Sequence, residues 1–304
     1  MTTPHQQQPA IPPQAPAQAA PPPHPQWGGG APGGAYPSYP SYVSPIPVRG
    51  THLGHAIASE WTKIKSVRST VWTLGIFLVL VVGIGLVIAL LTDDEDYIAA
   101  PVTFPAFFGL ILGQVCMITL GVLVVSSEYG TGLIRATMTA SPKRWRVLTA
   151  KLLVFFALVF VTSTLSILLV GLVSSGLHST TGVAATNGAH WTGAVLGAGL
   201  YVSLLGVLSL AVGSMLRHSA GAITAMLGVV LLPAVAGGFL LISSATRTVG
   251  EKMLEYNSTA SIALLFQMEG EGATQNGLPQ LGLLAGVTAA AIAGAFVLLE
   301  KRDV

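Results

Sequence analysis

Charged side chains make up only 9% of the 304 residues, against roughly 25% in soluble domains. That scarcity excludes an ordinary water-soluble protein. The formal net charge is +2, and no segment interleaves dense Lys/Arg with aromatics, which argues against a nucleic-acid partner. There is a single cysteine, Cys116, inside an apolar run; no intramolecular disulfide is possible, and packing is the expected role. The Pro- and Gln-rich N-terminus lacks a charged segment followed by an apolar stretch, so no cleavable signal peptide is expected. No Gly-x-x-x-x-Gly-Lys-Ser/Thr occurs, and in the one Lys-Ser pair, Lys65-Ser66, the preceding residue is Ile64 where a phosphate loop needs glycine. Of seven histidines only His52 and His55 share a helix face, with no acid or thiol placed to complete a metal site. Serines and threonines abound, but none has a base beside it, so no catalytic site is expected. The chain reads as a non-enzyme with no cofactor of its own.

What the sequence has is apolar length. Hydrophobic residues reach 52% and mean hydropathy is +0.70. They gather into six runs, near 71–91, 107–125, 152–175, 192–216, 219–243 and 281–299, each close to the ~20 residues that cross ~30 Å of hydrocarbon. None contains an ionised side chain. An Asp, Lys or Arg at mid-helix costs about 2.5–3.5 kcal/mol on insertion, so six clean runs predict an all-α polytopic membrane protein of about six transmembrane helices. The same cleanness argues against proton relays and ion-coupled carriers, which place acids, lysines or histidines at membrane depth. Glycine pairs four apart (Gly109/Gly113, Gly193/Gly197, Gly282/Gly286) suit close helix contact, more readily within the chain than between subunits. Pro233, followed by Gly237 and Gly238, predicts a bend in the fifth span.

Three regions follow. Residues 1–49 are rich in Pro, Gly, Gln and Ala with Arg49 the only charge, too polar to bury a core and expected to be disordered. Tyr36, Tyr39 and Tyr42 recur there at period three, as a low-complexity feature or a docking motif. Residues 50–70 form an amphipathic helix: Leu53, Ile57, Trp61, Ile64 and Val67 fall at helical spacing, with Glu60, Lys63, Lys65 and Arg68 between them. It reads as an interfacial helix anchored on the lipid bilayer by Trp61, Lys63, Lys65 and Arg68, or as an extension of the first span. Residues 71–304 are the membrane domain.

Lys and Arg fix its orientation. With six spans, Arg49, Lys63, Lys65, Arg68, Arg135, Lys143, Arg144, Arg146, Lys151, Arg217, Lys301 and Arg302 share one side. Arg247 and Lys252 lie on the other, with Asp93, Asp94, Glu95, Asp96, Glu251, Glu255, Glu269 and Glu271. The positive-inside rule puts both termini in the cytoplasm of a cell membrane. On the outer side, Ala260–Met268 is too short to cross, and fits a re-entrant or surface helix or a collapsed loop.

The most informative segment is the cytoplasmic loop SSEYGTGLIRATMTASPKRWRVLTAK, Ser126 to Lys151. It turns at Gly130 and Gly132, runs a short helix through Leu133 to Met138, and breaks at Ser141-Pro142. The third span then begins with Lys143-Arg144-Trp145-Arg146, where Trp145 is a further interfacial anchor. Composition alone permits a basic membrane anchor. From about residue 50 to the end, EWTKIKSVRST before the first span, Glu128-Tyr129-Gly130-Thr131-Gly132 into Ile134-Arg135, and Ala140-Ser141-Pro142-Lys143-Arg144 into Ala150-Lys151 resemble the type-2 ABC transporter permeases of bacteria. The resemblance implies an exporter's membrane subunit, paired with a second permease chain and driven by two copies of a separate ABC ATPase that binds the ATP. It also implies that Glu128, Tyr129, Gly132 and Arg135 belong to a coupling helix, followed by Pro142, Arg144 and Lys151. The alternatives are a non-transporting scaffold that recruits partners through its Pro/Tyr-rich tail, and a lipid-modifying enzyme, for which no clustered polar groups are found.

Overall fold

The computed structural model describes residues 52–98, 100–141, 143–178, 186–268 and 276–301. The tail, Pro142, Glu269, Glu271 and Arg302 lie outside the described residues. Within them the chain is all-helical, with no strand. Helix α1 is Leu53–Ser66. Six helices are long and apolar enough to cross a membrane: α2 (Arg68–Leu91), α3 (Pro105–Gly130), α5 (Arg144–Leu177), α6 (Gly188–Leu216), α7 (Ser219–Leu240) and α10 (Leu278–Lys301). The short helix α4 (Leu133–Ala140) joins α3 to α5, and α8 (Arg247–Glu255) and α9 (Ser258–Leu265) join α7 to α10.

The amphipathic helix is separate from the first span. Val67 adopts an extended backbone (φ −83°, ψ 114°) that ends α1 and begins α2, so the extension reading does not hold. α5 begins eight residues before the apolar run and continues for 34 residues, about 50 Å at 1.5 Å per residue. Its basic first turns are therefore helix, not loop.

α6 is the central element. Its most apolar window is 72% buried, against 11% for α10 and 17% for α7, because it packs on α3, α5, α7 and α10, while α2 leans on α3 and α5. A span apolar on all sides is suited to that position. α7 and α10 each pack on α6 rather than extensively on one another, which leaves most of their surfaces to lipid or partner. Gly109 lets α3 approach α2 closely: a Cβ there would stand 2.5 Å from the Leu80 carbonyl oxygen, where α2 carries a π-helical turn at Val79–Gly83. Gly113 also faces α2, and Gly193 and Gly197 face Leu265, so two of the three glycine pairs serve packing within the chain. Gly282 and Gly286 face open space.

The described part of the long connection from α7 to α10 forms two helices, not a collapsed loop. α8 folds back along α7, with Gly237 opposite Gly250. α9 then buries Ile262, Leu264 and Leu265, capped by Asn257, whose Oδ1 accepts from the Ala260 N–H at 2.9 Å. Ser258 Oγ donates to Gln114 Oε1 at 2.5 Å. Gln114 lies nine residues into α3, about 13 Å along the span, so the start of α9 reaches back alongside α3.

Candidate functional site

The ends of α2, α3, α5, α6 and α10 that carry most of the lysines and arginines meet in one region, and the loop from Ser126 to Lys151 is built into it. At its centre is a closed ring of alternating charge. Lys151 Nζ bonds Glu60 Oε2 at 2.7 Å and Glu128 Oε1 at 2.8 Å. Lys63 Nζ bonds Glu60 Oε1 at 2.7 Å and Glu128 Oε1 at 3.0 Å. The ring ties α1 to the end of α3 and the start of α5, and its four charges cancel. The Lys151 and Glu60 side chains are each only 4% exposed and Glu128 9%, whereas Lys63 is 35% exposed. Burial alone would lower the pKa of Lys63, but the hydrogen bonds and charges of Glu60 and Glu128 outweigh it and hold the ammonium above its ordinary value.

α4 sits on this ring. Gly132, at φ +72°, occupies the left-handed conformation that starts the helix, a position suited to glycine. Ile134 is buried, Met138 packs against the core, and Thr137 Oγ1 lies 3.5 Å from Lys63 Nζ. Arg135 and Thr139, one turn apart, are exposed on one face, while the exposed Leu133 and Ala136 line a cleft beside the ring. That cleft, of about 670 Å³, separates α1 from α4, so the short helix is seated on one side only. Further contacts close the region: Arg217, at the end of α6, lies over the Tyr129 ring at 4.9 Å, and Arg144 Nη1 donates to the Leu299 carbonyl of α10 at 3.2 Å.

The sequence-derived residues thus divide. Glu128 and Lys151 are ring members; Tyr129 and Arg144 stitch neighbouring helices; Arg135 is exposed on α4 away from the ring. Among the expected anchors, Trp61 and Trp145 are exposed with Lys65 and Arg146 lying over them at 5.0 and 5.6 Å, and Arg68 is exposed. Lys63 instead turns inward. Glu60 was missed as a ring member. As the only acid among the bases of α1 it was readable as a partner seeking a cation, but which cation required the fold. His52 and His55 stack with ring centroids 3.7 Å apart, and among the described residues no three His, Cys, Asp or Glu converge as a metal site.

The opposite, acidic end has its own tie. His178, just past α5, bonds Asp94 Oδ1 through Nδ1 at 2.7 Å and the Ala89 carbonyl through Nε2 at 2.8 Å. Both partners accept, an arrangement that favours the doubly protonated, charged imidazole. Burial opposes that charge, but the Ala89 carbonyl, Asp94 and Asp93 outweigh it and raise the pKa above 6.5. Tyr97 stacks on the ring at 4.3 Å and its hydroxyl bonds Ser174 at 3.0 Å. A raised folded-state pKa gives stability that is complete below pH 6.5 and lost as pH rises through the folded value. Thermal stability should therefore fall above neutrality, and His178→Gln should flatten that slope. A wild-type melting temperature that stays level or climbs between pH 6.5 and 9 would refute the charged imidazole.

No family model, curated protein or solved structure matches this chain.

Proposed function

We propose that the chain is the transmembrane subunit of an ABC-type exporter in the cell membrane, with both termini cytoplasmic. Two copies of a separate ATPase bind beneath it and a second permease chain completes it. The observation that carries this reading is the joint geometry of α4 and the ring. α4 offers Arg135 and Thr139 outward from the basic end, while its roots are locked through Glu128 and Lys151 to α1 and α5. A soluble motor pressing on α4 would move α3, α5 and α1 as one unit instead of bending a loop. The basic end suits the cytoplasmic face by the positive-inside rule, and the sparsely buried α7 and α10 suit a second permease.

The test is copurification of the full chain from its native membranes with a P-loop ATPase, followed by hydrolysis of ATP by that ATPase in lipid nanodiscs with and without the chain. A stable complex with raised turnover supports the assignment. A chain that never retains a nucleotide-hydrolysing partner refutes it.

A further inference from the structure

Near the acidic end, α6, α7 and α10 leave a cavity of about 430 Å³ under the α8–α9 pair, within the roughly 300–1,000 Å³ typical of small-molecule sites. Leu205, Val230 and Pro233 make much of its wall, with Tyr201 and Ser258 adding hydroxyls on one side. Gln280, three residues into α10, also lines it, is only 2% exposed, and has neither side-chain polar atom hydrogen-bonded. A buried carboxamide with both its donor and its acceptor unmet is rare, because groups removed from water are nearly always paired. Hydrocarbon cannot meet that demand, and neither can the apolar face of a second helix. At the rim, Lys252 is paired with Glu255 at 2.6 Å, so the mouth offers no net charge to an ionised head.

We infer that this cavity is a binding site for an amphipathic molecule whose uncharged head, an amide or a hydroxyl, exchanges hydrogen bonds with Gln280 as that side chain turns into the cavity, while its apolar body lies against Leu205, Val230 and Pro233. The inference deepens the transport reading by naming a class of cargo, and it depends on that reading only for the step from bound molecule to exported molecule. A resident membrane lipid has the same chemistry.

The test uses the full chain in nanodiscs without any ATPase, so its outcome is independent of the coupling experiment. The probes are hexadecanamide carrying a mid-chain diazirine and the corresponding diazirine alkane. Photolabelling by the amide should concentrate on peptides of α7, α9 and α10, exceed the alkane's by at least tenfold, and be competed by unlabelled hexadecanamide. Gln280→Leu, which keeps the volume and removes both polar atoms, should abolish that preference. Val287→Trp, at the exposed rim, should reduce entry without touching Gln280, and decides the matter if the first variant does not fold. Equal labelling by amide and alkane, or an amide preference that survives the variants, overturns the site. Lipid extracted with the purified wild-type chain but not with Gln280→Leu marks a resident lipid; a wild-type chain that purifies without lipid yet takes the amide marks a molecule arriving from elsewhere, and both uphold the site.

Discussion

Lys151→Met should destabilise the folded chain by about 3–5 kcal/mol, because it leaves Glu60 and Glu128 buried around one cation instead of two. The penalty comes from the uncompensated charge, not from the loss of an attractive contact. The double variant Lys151→Met, Glu128→Met should therefore recover most of it, since the remaining Glu60–Lys63 pair is balanced and the new side chains pack. Lys63→Met should cost less, as its ammonium is the most solvated member of the ring. Unfolding of the purified chain in mixed micelles, titrated with SDS, measures all three. A Lys151→Met chain within about 1 kcal/mol of wild type, or a double variant no better than the single one, would sink the account of the ring.

Arg135→Glu should leave that unfolding midpoint unchanged and cut stimulation of the proposed partner ATPase by roughly tenfold or more, equivalent to about 1.4 kcal/mol in docking. Arg135 is exposed on α4 and stands apart from the ring, so charge reversal alters the docking surface without disturbing the seat beneath it. Thr139→Asp, exposed one turn along the same face, should act alike. Glu128→Gln should instead lower stability and stimulation together, because Glu128 acts from inside the fold. If Arg135→Glu stimulates as well as wild type, the outward face of α4 is not where the motor docks.

The two variants also separate what the chain discloses in one dimension from what it hides. Six spans and the segregation of bases were legible because hydrocarbon thickness and charge insertion act on contiguous residues. The break at Val67 was not, since an extended residue between two helices leaves no proline or glycine behind. Serines in the spans serve the backbone: Ser163, Ser166, Ser203 and Ser209 all donate to carbonyls within their own helices. The loop's Glu128 and Lys151 stood out by sequence, but their 23-residue separation gave no reason to pair them. The partner of Glu60 and the burial of Gln280 were hidden for a related reason. A polar side chain next to a turn or an amphipathic face looks solvated until the fold shows what covers it.

α5 runs from the charge ring at Lys151 to the imidazole tie at His178 with no proline and no π turn, whereas α2 and α6 each contain a stretch wound at a looser pitch. A uniform helix of about 40 Å between those points shortens or flexes little under load. An axial displacement imposed at the ring would then be carried along α5 to the His178 end, and whatever loosens the imidazole tie lightens the work of moving the helix.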